Sequence, residues 1–192
     1  MTTLRAAIPL CRCLLTASLA LASMSCIERP YESAPTQRMQ FDRSSVRDAL
    51  VTGVPPDMIP VGAIYGNAAE LLGYRIEPAP LMPGQRARIT LYWRCRGPLE
   101  PWHIFVHLDD ANGSGDRIHA EHDPVQGRFP TNAWQPGDII ADAFVVQIGR
   151  VPLNMFIGFF AESESRLTLD SPGRGRDDGS NRLFAGLLPL AQ

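Results

Sequence analysis

The stretch Ala87–Arg96, which reads ARITLYWRCR, decides the fold. Every second residue from Ala87 to Cys95 is apolar, and the residues between them are polar, with arginine at three positions. A side-chain period of two is typical of a β-strand that buries one face and exposes the other. We therefore predict a strand over residues 87–96 with one buried face and one arginine-rich face in contact with solvent.

The same period continues after this stretch. The next buried row consists of Trp102, Ile104, Val106 and Leu108. Further apolar strands are predicted over residues 139–148, 155–161, 167–169 and 183–188. Turn dipeptides such as Asn112-Gly113 and Pro136-Gly137 separate the strands, and no helix-length pattern intervenes. The predicted fold class is all-β, a single antiparallel β-sandwich of about seven or eight strands over residues 61–192, resembling immunoglobulin-like or carbohydrate-binding modules.

Composition narrows the possible functions. The chain has 192 residues, 45% of them hydrophobic and 20% charged, which suits one globular domain. All 18 basic residues are arginine, and the absence of lysine excludes lysine Schiff bases and lysine general bases. The formal net charge is −2 and no basic cluster is present, so we expect no nucleic-acid partner.

The first 26 residues have the three parts of a bacterial signal peptide. Arg5 and Arg12 form a positive segment, Leu14–Ala22 is apolar, and small residues lead to Ser25. The uncharged stretch 13–27 is shorter than the roughly 20 residues that a membrane-spanning helix needs. We therefore expect an exported protein.

A lipid anchor is expected at Cys26. Residues 23–26, Ser-Met-Ser-Cys, resemble the lipobox of bacterial lipoproteins, which implies a diacylglycerol on Cys26 and removal of the signal peptide, residues 1–25. An ordinary secretory signal cleaved nearby is the alternative. Glu28 replaces the aspartate that retains such lipoproteins in the inner membrane, which favours the outer membrane of the cell envelope. The membrane is therefore an expected partner through the lipid.

The segment between the anchor and the sandwich is predicted to be a tether. Residues 26–60 begin with a polar, proline-containing run without a period. Within them, a capping box over residues 45–48 predicts one short helix over Val46–Val51. Removal of residues 1–25 would change the net charge from −2 to −4 and would leave Cys95 as the one cysteine of the predicted domain.

An ordered series of short motifs resembles a known family. The series comprises Leu71–Tyr74, Pro83-Gly84, Leu91–Trp93, Phe105–Leu108, His122-Asp123, Phe129–Thr131 and Trp134–Asp138. It resembles the extracytoplasmic β-sandwich domain appended to bacterial membrane glycosyltransferases of the protein-mannosyltransferase-like type, over roughly residues 61–170. The resemblance implies a sandwich fold, a cell-envelope setting and possible glycan contact, with His107, His122 and Asp123 at motif positions. It implies no catalytic residues, since the family's transferase chemistry lies in its membrane part.

All four histidines lie within residues 103–122, so a metal site has to be weighed. His103 and His107 would share a strand face but stand about 13 Å apart at about 3.3 Å per residue, too far to bind one ion. His107 could instead pair with His119 or His122 across a hairpin. We favour cross-strand hydrogen bonding over metal, and therefore predict no metal and no cofactor.

Two other candidate sites lie nearby. Asp110, Asn112, Ser114 and Glu121 match the spacing of a calcium loop, although a hairpin turn explains the same residues. Among the tryptophans, Trp93 and Trp102 lie on apolar rows, whereas Trp134 lies in a loop and is predicted to be exposed, as a platform for a sugar. The candidate ligand-binding residues are therefore Trp134, His107, His122 and Asp123.

Three classes of function follow. We expect a non-enzymatic envelope module that binds glycan or a protein partner. A purely structural or assembly lipoprotein is the alternative, and an enzyme acting on envelope polysaccharide is third. No nucleophile, base and oxyanion donors converge in the sequence, so the protein is predicted not to be an enzyme.

Lipidation is expected to depend on Cys26. Because the apolar run is too short to span a bilayer, attachment to the membrane requires acyl chains. Cells fed a palmitate analogue should label the wild-type chain and the Cys95→Ala control, but not Cys26→Ala. Equal labelling of all three chains would contradict the lipoprotein assignment.

Overall fold

The computed structural model describes residues 41–113 and 117–191 as two antiparallel β-sheets packed face to face. The prediction of an all-β antiparallel sandwich is confirmed. The strands are β1 (Leu50–Val51), β2 (Ile59–Tyr65), β3 (Ala69–Glu77), β4 (Arg86–Cys95), β5 (His103–Asp110), β6 (Ile118–His119), β7 (Ile139–Gln147), β8 (Leu153–Phe160), β9 (Leu169–Ser171), β10 (Arg176–Asp177) and β11 (Leu183–Leu188).

The first sheet has the strand order β1-β7-β4-β3-β2-β9, and the second has the order β10-β11-β8-β5-β6. There are more strands than the seven or eight predicted because β1, β6, β9 and β10 are only two or three residues long. Such short strands cannot display a side-chain period. Two 3-10 helices, Arg43–Val46 and Thr131–Ala133, complete the secondary structure of the described residues.

An aromatic cluster joins the two sheets at the centre of the core. Trp93 from β4 lies 4.7 Å from Phe159 of β8, measured between ring centroids, and Tyr65 from β2 packs edge-on against both rings. The Tyr65 hydroxyl donates a hydrogen bond to the Ile157 carbonyl across the interface, at 3.0 Å. Burial of these large rings is the main favourable term in holding the sheets together.

The outer face of β4 is less exposed than its sequence predicts. Arg88 and Arg94 are exposed, but Thr90 and Tyr92 are only 8% and 7% exposed. The reason is the position of β4 in the sheet, between β3 and β7. Tyr92 stands opposite Gly73 and Ala141, which are small and leave room for its ring on the sheet surface.

The sandwich begins earlier than residue 61. The helix predicted over Val46–Val51 is wrong, because the 3-10 helix ends at Val46 and Leu50–Val51 is β1, paired with β7. Val46 and Ala49 are buried in the core. Phe41 also stacks on Phe129, with 5.2 Å between ring centroids. Residues 41–60 are therefore part of the folded domain rather than of a tether.

The predicted signal peptide, Cys26 and the tether up to residue 40 lie outside the described residues. Among the residues that are described, no helix is both long and apolar enough to cross a membrane.

Candidate functional site

The outer face of the second sheet holds the candidate site, which is organised by β5. Ile104, Val106 and Leu108 point into the core and are completely buried. The alternate residues of the strand therefore lie on the outer face: His103, Phe105, His107 and Asp109. The inward residues fix the strand by burial, and this fixes the position of the outward row.

The Phe105 ring packs against a glycine in the neighbouring strand. Its partner in β8 is Gly158, and a Cβ added there would approach the Phe105 ring to 2.4 Å. The guanidinium carbon of Arg166 lies 5.2 Å from the centroid of the same ring, within the range of a cation–π contact. The Phe105 side chain is consequently held between the sheet and an arginine.

A groove of about 290 Å³ opens beside this ring. It combines aromatic surface with a cationic and two carboxylate groups, which is the usual composition of a site that orients a polar ligand on an apolar floor. Its lining residues are Phe105, His107, Glu121, Phe160, Glu164 and Arg166.

One wall of the groove is a cluster of two histidines and a glutamate. His107 in β5 pairs directly with His119 in β6, and Glu121 follows on the same face of the chain. The Glu121 Oε1 atom accepts hydrogen bonds from both imidazoles, at 3.1 Å from His107 Nε2 and 3.2 Å from His119 Nδ1. Burial lowers the pKa of His107, although the bond to Glu121 opposes this, and that bond in turn lowers the pKa of Glu121.

A second cavity, of about 190 Å³, lies near the other end of the outward row. The His103 imidazole is hydrogen-bonded to the Asp123 carboxylate at this cavity, which Trp102 also lines. The ring of His103 lies 5.0 Å from the ring of Phe160, which lines the groove. The two depressions therefore lie next to each other on the sheet surface, and we call the whole surface the β5 face.

The start of β5 is held by a buried threonine. The Thr131 hydroxyl donates to the Glu100 carbonyl at 2.6 Å and accepts from the Trp102 backbone N–H at 2.8 Å. Thr131 is completely buried. This pair of bonds positions Trp102 and His103 at the cavity through the backbone that carries them.

His122 is a structural residue that connects the two sheets. Its Nε2 lies 2.8 Å from the carboxylate of Asp142 in β7, and its Nδ1 lies 2.9 Å from the Ala120 carbonyl. Burial acts to lower the pKa of His122, but the hydrogen bond and the charge of Asp142 outweigh it and the pKa is raised. The histidine thus compensates the carboxylate of Asp142, which is completely buried.

The same carboxylate also holds a strained turn. Asp142 Oδ1 accepts a hydrogen bond from the Val125 backbone N–H at 2.8 Å. Val125 has a φ of 55°, a left-handed conformation that is unfavourable for a β-branched residue. This turn carries Asp123, so Asp142 indirectly positions one of the site residues.

The expectation that Trp134 is an exposed aromatic platform is wrong. Trp134 is completely buried, and its indole N–H donates to the Phe129 carbonyl at 3.0 Å. The loop that carries it folds back over the core, stabilised by the 3-10 helix Thr131–Ala133. Of the four candidate binding residues, His107 and Asp123 therefore lie on the β5 face, while His122 and Trp134 contribute to the interior.

The calcium spacing does not correspond to a calcium site. Ile104 pairs with His122, so Glu121 lies opposite Phe105. Phe105 is five residues from Asp110 on the same strand, which places Glu121 about 16 Å from Asp110 at about 3.3 Å per residue. Asp110 Oδ1 instead accepts from the Asn112 backbone N–H at 2.7 Å, as in a hairpin turn. Ser114 lies outside the described residues.

Several residues of the β5 face had no distinct signal in the sequence. Phe160 is a core-like residue in an apolar run, and Glu164 lies in what reads as an exposed acidic turn. Arg166 is one of many arginines. Their common surface depends on strand pairing, which a single sequence does not specify.

Comparison with known proteins identifies no family. No family model matches the chain, and no curated protein matches it. Among solved structures, the crystal structure of the C-terminal domain of Wzt is similar, with 13% sequence identity and a TM-score of 0.40, covering 73% of this chain and 89% of that one. The motif series that resembles the glycosyltransferase-associated domain is accordingly not a family assignment.

The different roles of Asp142 and Asp123 give a stability test. Asp142→Ala removes a completely buried carboxylate that binds His122 and the Val125 backbone N–H, and it should lower the free energy of unfolding by about 3–5 kcal/mol. Asp123→Ala removes an exposed partner and should cost no more than about 1 kcal/mol. Urea denaturation of both variants measures the difference, and equal losses would contradict the assigned roles.

Proposed function

We propose that the protein is a non-enzymatic, lipid-anchored module of the bacterial cell envelope that binds glycan on its β5 face. The observation that carries the proposal is the groove lined by Phe105, Phe160 and Arg166, with Glu121 and Glu164 at its sides. Export and lipid attachment are supported by the signal-peptide and lipobox patterns.

The chemistry of the groove suits a sugar. Aromatic rings offer apolar surface to the C–H face of a pyranose, while carboxylates and a guanidinium form hydrogen bonds with its hydroxyl groups. Phe160 is partly exposed and lies between His103 and the groove, so its ring is accessible to a ligand. The cavity at Trp102 lies next to the groove, which favours an extended glycan chain over a single sugar.

The resemblance to the glycosyltransferase-associated domain supports the same proposal independently. His107 and Asp123, at motif positions of that series, both lie on the β5 face.

Affinity electrophoresis of the full chain tests glycan binding. Surface polysaccharide extracted from the bacterium that makes the protein is cast into a native gel, and migration is compared with a gel lacking it. Phe160→Ala and Arg166→Ala should weaken retardation by at least about tenfold, because each removes a direct ligand contact worth roughly 1.4 kcal/mol or more.

Arg88→Ala is the matched control, since Arg88 is an exposed arginine on the outer face of the first sheet. Its retardation should equal that of the wild type. Thermal melts establish that all three variants are folded. The proposal would be wrong if the wild-type chain were not retarded, or if the control lost retardation as much as the two groove variants.

A further inference from the structure

The His107, His119 and Glu121 cluster has the geometry of a metal centre. One ligand atom from each residue lies within 4.8 Å of the other two. We propose that these three side chains bind one divalent transition-metal ion, of which zinc is the best fit, at the wall of the groove. The proposal is independent of glycan binding, because it concerns side chains that converge without a sugar.

Strand pairing produces this convergence. His107 and His119 are directly opposite each other on antiparallel strands, so their side chains leave the sheet on the same face. Glu121 lies two residues after His119, and a period of two returns it to that face. A single histidine on one strand and a His-x-Glu sequence on its neighbour therefore place three donors together.

The donor set suits zinc. Two imidazole nitrogens and one carboxylate oxygen are ligands of open zinc sites, in which a water or a ligand atom takes the fourth position. Donors around a tetrahedral ion at about 2.0–2.1 Å are separated by about 3.3 Å. The two nitrogen–oxygen separations of 3.1 and 3.2 Å are close to this value.

The surroundings of the cluster agree with an open site of moderate affinity. His107 is 6% exposed and is fixed within the sheet, whereas the side chains of His119 and Glu121 are 57% and 46% exposed. A bound ion would therefore be held by the buried His107 on one side and would be open to solvent on its other side. Metal at His107 Nε2 places the proton on Nδ1, for which no described residue is an acceptor. We therefore expect weaker binding than at zinc centres with complete outer-shell hydrogen bonds.

A second interpretation is that the cluster only joins the two strands through hydrogen bonds. The two interpretations predict different responses to metal. In a hydrogen-bonded cluster without metal affinity, added ions leave both spectrum and stability unchanged. In a metal centre, the ion binds with one-to-one stoichiometry and stabilises the fold by mass action.

Titration of the full chain with metal ions in detergent micelles tests the proposal. The protein carries no polyhistidine tag, and any bound metal is first stripped with a chelator, which is then removed. Co²⁺ should give the visible absorption of a tetrahedral nitrogen–oxygen site, Zn²⁺ should displace it, and calorimetry should show one Zn²⁺ per chain. His119→Ala and Glu121→Gln should each weaken Zn²⁺ binding by at least about tenfold, as expected when a ligand is lost.

His103→Ala is the control, because His103 lies on the same strand face but about 13 Å from His107 at about 3.3 Å per residue. It should bind Zn²⁺ as the wild type does. Since His119 is exposed, its replacement should leave the melting temperature of the metal-free protein unchanged within a few degrees. The proposal would be overturned if the wild type bound no Zn²⁺, or if His119→Ala and Glu121→Gln bound it as strongly as the wild type.

Discussion

The alternation of side chains along β5 is the constraint on which the rest of the structure depends. Ile104, Val106 and Leu108 cannot leave the core without exposing apolar surface, and this fixes the strand between β8 and β6. Because the period is two, the same burial holds the outward residues in place. A ligand surface built on such a strand is rigid before any ligand arrives, which reduces the entropy lost on binding.

The architecture could be predicted where the alternation of apolar and polar side chains along a strand is clear. The pattern of β4 and the buried row of β5 are strong enough to specify a sandwich from sequence alone. The segment 41–60 could not be assigned in this way, because its attachment depends on distant contacts such as the stacking of Phe41 on Phe129. Trp134 was misassigned for a related reason: a loop position suggests exposure, but this loop folds over the core and its indole N–H finds a backbone acceptor.

The site was only partly predictable, because register decides which polar residues meet. The sequence places four histidines close together, but only the pairing of β5 with β6 brings His107 against His119. His122 has a different role because its partner, Asp142, comes from the other sheet. Adjacent residues thus differ in function: Glu121 faces the groove, while His122 faces the interior and pairs with Asp142, which holds the turn that carries Asp123. One sequence offers no signal that separates them.

The central claim is that the β5 face is the ligand surface, and chemical-shift mapping by NMR tests it most directly. The isotopically labelled full chain is titrated in micelles with the extracted surface polysaccharide, and backbone amide shifts are followed. The account predicts that the largest shifts fall on the outward residues of β5 and β8 and on the turn before Arg166, with β4 and β7 nearly unchanged. Shifts concentrated on the outer face of the first sheet, around Arg88 and Ala143, would contradict it.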